Sequence, residues 1–262
     1  MKSLKPFFLL VANGYWMLLS FFTAYNLYAM GFKPAIIGMA FTSIVPWGFL
    51  MSLNIRKKAH ISPNQLFLTF VMLLGVLILA FWEPKVSILI ALLYCISFAI
   101  WILYLLWYSP LPVKYTDMLI PGKALPDLYF TTFDNKPFYC SSLLGKKVVY
   151  LFYRGNWCPV CMTQLKEIAD QYLTLKERDA EVLLISPQPQ AKSKELADKL
   201  KVEMHFLTDQ NNQMARLLGI EDTNGTPIGP VLAGNNKDTV LPTVIITDEH
   251  GKIIYLDRTD NY

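Results

Sequence analysis

Two cysteines separated by two residues, Cys158 and Cys161, are the groups in this chain best suited to chemistry. They close the run Phe152-Tyr153-Arg154-Gly155-Asn156-Trp157-Cys158-Pro159-Val160-Cys161. If Cys158 stands at the first turn of a helix, free backbone N–H groups and the positive end of the helix dipole face its sulfur. Both favour thiolate over thiol, which makes Cys158 the expected nucleophile. Cys161 follows nearly one turn later and can close a disulfide without unwinding the helix, which makes it the expected resolving thiol. Pro159 suits an N-terminal helix position, where a missing N–H costs little. Trp157 adjoins the pair as a fluorescent reporter. Arg154 offers a cation for a thiolate or a peroxide oxygen, although an arginine at a strand end is as often a solvated surface charge. Zinc competes for a CxxC, but a structural site needs two more ligands, and Cys140, His205 and His250 are scattered with no second CxxC. The chemistry requires neither metal nor organic cofactor.

The elements that must position this pair can be read on either side of it. Lys147 to Tyr153 is a continuous β-branched and aromatic run, the pattern of a strand buried on both faces. Beyond the pair, Leu165, Ile168, Ala169, Tyr172 and Leu173 recur at helical spacing. Leu128 to Phe133 and Phe138 to Cys140 predict a hairpin around Asp134-Asn135. A strand is expected at Val182 to Ser186, a helix around Lys192 to Lys201, a strand near His205 to Leu207 and a helix from Gln210 to Leu218. Thr243 to Thr247 and Lys252 to Leu256 form a closing hairpin through Asp248-Glu249-His250-Gly251. The alternation predicts an α/β sandwich with a mixed central sheet. From Gly219 to Leu241 runs a Gly/Pro/Asn-rich stretch, long for a compact domain. It either shapes a substrate site beside the pair or is a mobile insertion.

The first 112 residues have another character. They carry seven Lys or Arg and one acid, a balance of +6, whereas the remainder carries −2. The basic total therefore reflects loops flanking apolar segments and gives no reason to invoke nucleic acid. Four stretches lack charge: Phe7 to Phe32, Pro34 to Ile55, Asn64 to Trp82 and Val86 to Val113. Each supplies about the 20 residues that a bilayer core requires. The organisation expected is an α-helical membrane bundle of four spans (near 7–32, 34–55, 64–82 and 86–108) within residues 1–112, then an α/β domain over 114–262. Ser109-Pro110-Leu111-Pro112 ends the last span. The first span is long, aromatic and lacks a small-residue cleavage site, so it is expected to be retained. Trp16, Trp82, Trp101 and Trp107 fit interfacial belts. With four spans, Lys2, Lys5, Arg56, Lys57, Lys58 and Lys114 share one side against Lys33 and Lys85. That places the C-terminal domain in the cytoplasm, and a miscounted span would place it outside. Cys95 stands alone in the bundle, and no span carries an Asp, Glu, Lys or Arg, so an intramembrane thiol relay or ion path is not expected. Asn13 and Asn26 are expected to join helices.

Leu125-Pro126-Asp127, FYRGNWCPVC, VLLISPQ, LTDQNNQMARLLGI, LPTVIITDEHGKI and TDNY together resemble the peroxiredoxin-like (AhpC/TSA, redoxin) branch of the thioredoxin folds. The likeness covers the C-terminal domain and none of the membrane half. It implies a thioredoxin-like fold, a membrane-anchored thiol-dependent oxidoreductase that cycles through a Cys158–Cys161 disulfide to reduce peroxides or protein disulfides, and an external thiol donor of thioredoxin or glutathione type. It also implies that Pro242 is a cis-proline packed beside the pair. The sequence departs from the Pro-x-x-x-Thr-x-x-Cys signature of typical peroxiredoxins. Aligned on Phe-Tyr, Arg154 takes the Pro position, Cys158 the Thr and Cys161 the peroxidatic Cys; aligned as in thioredoxins, Cys158 attacks. A terminal helix usual in thioredoxin folds is also missing, which predicts an open sheet face for a protein partner, a second copy or the membrane region. A docking or assembly factor that keeps the fold without catalysis is the competing reading.

Overall fold

The computed structural model describes residues 4–53, 55, 65–81, 87–111 and 116–258. Spatial contacts divide the chain into two units that change over between Pro110 and Leu111.

The N-terminal unit contains α1 (Lys5–Met30), α2 (Pro34–Ser52), α3 (Leu66–Phe81) and α4 (Ile88–Leu103). A π-helical turn, Tyr104–Tyr108, continues α4. Lys5–Ala29, Pro34–Ser52 and Ile88–Tyr108 are long and apolar enough to cross a membrane. The third apolar stretch differs: α3 has 16 residues, or about 24 Å at 1.5 Å each, against a hydrocarbon core of about 30 Å. Of the bases used to assign sidedness, Lys2, Arg56, Lys57, Lys58, Lys85 and Lys114 lie outside the described residues, as do Trp82 and Pro112.

Two expectations about this unit need correction. Trp16 and Trp101 are fully buried and do not form a belt. They belong to an aromatic column in which Phe49 meets Trp101 edge-on at 5.4 Å, and Trp101, Tyr104 and Tyr108 stack in succession at 5.5 and 5.8 Å. Large rings this numerous find more area against one another than at a boundary. Asn26 does not join helices either, since its Nδ2 donates to Phe22 O in its own helix. Hydroxyl groups supply the joints. Thr23 Oγ1 lies 2.8 Å from Tyr94 Oη and 3.2 Å from Ser43 Oγ, tying α1 to α4 and α2, and Trp101 Nε1 donates to Thr69 Oγ1 at 2.9 Å. At the α2–α3 crossing, a Cβ on Gly38 would stand 2.7 Å from Gly75 O, so only glycine permits that approach.

The C-terminal unit is built on a seven-stranded mixed sheet. Its strands are β1 (Tyr129–Thr132), β2 (Pro137–Tyr139), β3 (Lys147–Phe152), β4 (Ala180–Ser186), β5 (His205–Thr208), β8 (Thr243–Thr247) and β9 (Ile253–Arg258). The order across the sheet is β2-β1-β5-β4-β3-β8-β9. Strands β3, β4 and β5 run parallel, and β1, β2, β8 and β9 enter antiparallel. β3 is buried at every position after Lys147, as its unbroken apolar pattern requires. Helices α5 (Pro159–Asp170), α6 (Tyr172–Glu177) and α7 (Gln190–Leu200) lie between strands, and α8 (Gln213–Leu217) follows a 3-10 turn. One apolar cluster gathers Val149, Leu151, Val182 and Leu184 from the sheet with Leu165 of α5 and Leu196 of α7. On β9, Ile254 and Tyr255 are half exposed, and Tyr255 pairs in register with half-buried Ile246.

Gly219 to Leu241 is not an unstructured insertion. It holds β6 (Glu221–Asp222), α9 (Ile228–Leu232) and β7 (Thr239–Val240), and β6 pairs with β7 as Glu221↔Val240 and Asp222↔Thr239. Two-residue strands fall below what periodicity can reveal. The second correction concerns Pro242, whose peptide bond is trans, as no cis bond occurs among the described residues. Leu241 N–H is held by Ile220 O at 2.7 Å and β8 begins at Thr243, so this link is satisfied by the isomer that X-Pro bonds intrinsically prefer.

Candidate active site

β3 delivers the chain to the site. Tyr153 extends its edge by donating its N–H to Ile185 O at 2.9 Å, and the turn Arg154 to Trp157 then leads into α5. Cys158 is the N-cap of α5 and Pro159 its first residue. The turn needs glycine at 155: φ is +151°, and a Cβ there would meet Trp157 Nε1 at 2.7 Å. Cys158 is 6% exposed and Cys161 fully buried, both inside the apolar cluster.

The two thiols touch. Cys161 Sγ donates to Cys158 Sγ at 2.6 Å, and Cys161 N–H points at the same sulfur at 3.4 Å. The two cysteines are therefore electrostatically opposite. Hydrogen bonding from Cys161 Sγ, the Arg154 charge and the N–H groups of Cys161 and Val160 hold the Cys158 thiol below the ordinary value against its burial. Burial pushes the Cys161 thiol well up, and donating to Cys158 pushes it further. Cys140 stands apart, its thiol raised to about 12 mainly by burial.

Arg154 is buried, not a solvated surface charge. Its guanidinium lies over the Trp157 ring, 4.9 Å from the centroid, and Nη2 donates to Asp222 Oδ2 at 3.2 Å and to Gly225 O. Thr239 Oγ1 donates to Arg154 O at 3.2 Å. Gln188 carries a second network: Nε2 donates to Tyr153 Oη at 3.0 Å and Ser193 Oγ at 3.2 Å, while Oε1 accepts Asn156 N–H at 2.9 Å. Arg154, Trp157, Gln188, Thr226, Asn235 and Thr239 line a shallow open depression, to which the stretch from Gly219 to Leu241 contributes residues. Pro242 is buried at the same sheet end, one residue before Thr243, which pairs with Phe152. Among the described residues no cluster of three metal-ligating side chains occurs.

Sequence reasoning named Cys158, Cys161, Trp157, Pro159, Arg154 and Pro242, and all stand at this sheet end. It missed Tyr153, Gln188 and Asp222 as contributors. Gln188 lies in the VLLISPQ run, a signal that was present; Asp222 had none, because its role depends on an arginine 68 residues away.

The AhpC/TSA family pattern matches residues 121–256, more than half of the chain. The chain belongs to the AhpC/TSA family. Its AhpC/TSA domain is 30% identical over 99 residues to the chloroplastic peroxiredoxin Q of Oryza sativa subsp. japonica, a match covering 38% of this chain and 46% of that protein. It is also similar to the thiol-disulfide oxidoreductase ResA of Geobacillus kaustophilus, at 22% identity over 170 residues, 64% of this chain and 82% of the relative. Among solved structures, peroxidoxin BcpB from Mycobacterium tuberculosis superposes with a TM-score of 0.45 at 21% identity, covering 53% of this chain and 84% of the other. The chain spans about half the length of the curated peroxiredoxin Q relatives it matches.

Proposed function

We propose that this protein is a membrane-anchored thiol oxidoreductase in which Cys158 attacks and Cys161 resolves. The observation that carries the reading is the 2.6 Å contact in which a buried, proton-holding Cys161 donates to an N-cap Cys158 whose thiolate is favoured. The reduced Cys158 sulfur attacks a substrate disulfide, forming a mixed disulfide as the substrate S–S bond breaks, and the leaving thiolate takes a proton. Cys161 then attacks Cys158 Sγ, loses its proton, closes the protein disulfide and releases the second substrate thiol, so two electrons pass to the substrate. An external thiol donor, one dithiol of thioredoxin type or two thiols of glutathione type, reverses these steps on the protein and is itself oxidised to a disulfide.

Peroxide is the second oxidant to consider, favoured by the similarity to peroxiredoxin Q. There Cys158 would become a sulfenate with loss of water or alcohol, and Cys161 would displace the sulfenate oxygen as water. Aligned on Phe-Tyr, the peroxidatic position falls instead on Cys161, whose thiol burial pushes up, and Cys158 replaces the Thr whose hydroxyl is a donor, which tilts the balance to disulfide exchange. Stopped-flow oxidation of the reduced full-length protein, followed by intrinsic tryptophan fluorescence, tests the choice. Exchange requires slow reaction with hydrogen peroxide and a reversible disulfide in glutathione buffers; oxidation by peroxide far faster than that of a free thiol establishes the peroxidase. The anchor is supported by the three helices long enough to cross a bilayer. The cytoplasmic side holds if α3 crosses as a fourth span, which puts Lys2, Lys5, Arg56, Lys57, Lys58 and Lys114 together, and with three spans the domain lies outside. A reporter fused after Tyr262 tests the side.

A further inference from the structure

The β6–β7 pair holds one residue at both of its ends. Asp222 of β6 receives the Arg154 guanidinium, and Thr239 of β7, opposite Asp222 in register, donates to the Arg154 carbonyl. Gly225 closes the grip by taking Nη2 on its own carbonyl. No other residue fits at 225: a Cβ would stand 2.1 Å from Asp222 Oδ2 and 2.9 Å from Arg154 Nη2. The guanidinium's remaining face lies on the Trp157 ring. Arg154 is thus pinned by side chain, main chain and ring, and it sits at the end of β3 immediately before the Cys158 turn. Asp222 and Arg154 are both almost fully buried, where a charge is weakly screened.

We propose that Asp222 is a positioning residue for the Cys pair: through Arg154 it fixes where the guanidinium charge sits and offsets part of it, so that β6–β7 sets how strongly the Cys158 thiolate is favoured. The proposal rests on the reading of Cys158 as the attacking thiol. Asp222, Gly225 O and Trp157 are in direct contact with the guanidinium, Asp238 lines the same depression, and the Cys pair feels the guanidinium charge. In Asp222→Asn the amide oxygen can still accept from Nη2, Gly225 O and Trp157 still hold the guanidinium, and the offsetting charge is gone. The cation then acts on Cys158 at fuller strength.

The test is the pH profile of iodoacetamide alkylation at Cys158 in the reduced full-length protein in detergent, for wild type, Asp222→Asn, Arg154→Gln and the double variant. Asp222→Asn is expected to move the profile about half a unit down, near threefold in thiolate at low pH, and to make the disulfide about threefold easier to reduce in glutathione buffers. Arg154→Gln is expected to move the profile up, and adding Asp222→Asn to it is expected to do nothing further. An unmoved or raised profile in Asp222→Asn overturns the proposal. So does an unmoved profile in Arg154→Gln, which serves if the Asn variant fails to fold, because Asp222 then has nothing to act through. The reading beneath the proposal fails separately, if Cys158→Ser still passes electrons to a disulfide substrate.

Discussion

Cys158 and Cys161 are the same residue type in surroundings that push their thiols in opposite directions, and each substitution therefore has its own signature. Cys158→Ser is expected to abolish turnover. Cys161→Ser retains attack but cannot resolve, so a mixed disulfide accumulates and is seen by mass spectrometry. The folded Cys158 thiol lies below its ordinary value, so its thiolate is present above that lowered value and lost as pH falls through it. Alkylation at neutral pH is accordingly expected to exceed that of free cysteine, then to fall about tenfold for each unit of pH below the transition. At Gly155 the argument is steric. Gly155→Ala sets a Cβ against the Trp157 indole at a φ that L residues avoid, and a loss of about 1 to 3 kcal/mol is expected in denaturant titration of the full chain.

At the scale of elements, α5 both presents Cys158 at its N-terminus and anchors itself by Leu165, which is 1% exposed. Leu165→Ala removes most of that anchor and is expected to cost about 2 to 5 kcal/mol, measured by thermal unfolding, with Cys158 reactivity falling as the helix start loosens. β6–β7 is the element that periodicity overlooked. It contributes little apolar area, and its value is in bringing Asp222 and Thr239 to the two ends of Arg154. In the N-terminal unit the comparable feature is the α2–α3 crossing. Gly75→Leu puts a side chain where Gly38 O and Phe41 already stand, so α3 is expected to detach from α2 and become open to protease in detergent.

For the whole molecule, the expectation is a protein that stays in the membrane pellet after alkaline carbonate washing and enters solution only with detergent. Recovery in the wash supernatant would count against the three apolar helices as spans. The two units divide the work by composition. Within the apolar unit the hydroxyls of Thr23, Tyr94 and Ser43 pair with one another across helices, whereas Asn13 Oδ1 and Trp16 Nε1 are buried without a hydrogen-bond partner. The acidic C-terminal unit carries the pair and its electrostatics.

By itself the sequence determined what depends on local order: the charge-free apolar helices, the buried β3 run, the amphipathic α5, and a CxxC at the junction between them. These follow from periodicity and from neighbours within a turn, information contained in a window of a dozen residues. It could not determine which cysteine holds its proton, because that depends on the burial of Cys161 and on the distance between two sulfurs. Nor could it find Asp222, whose partner lies 68 residues away. It also misread Trp16 and Trp101, since a tryptophan in an apolar helix looks the same in sequence whether it meets lipid or other rings. Tertiary structure decided these points because burial, charge pairing and thiol ionisation are properties of what surrounds a group in space, and here the surroundings come from distant parts of the chain.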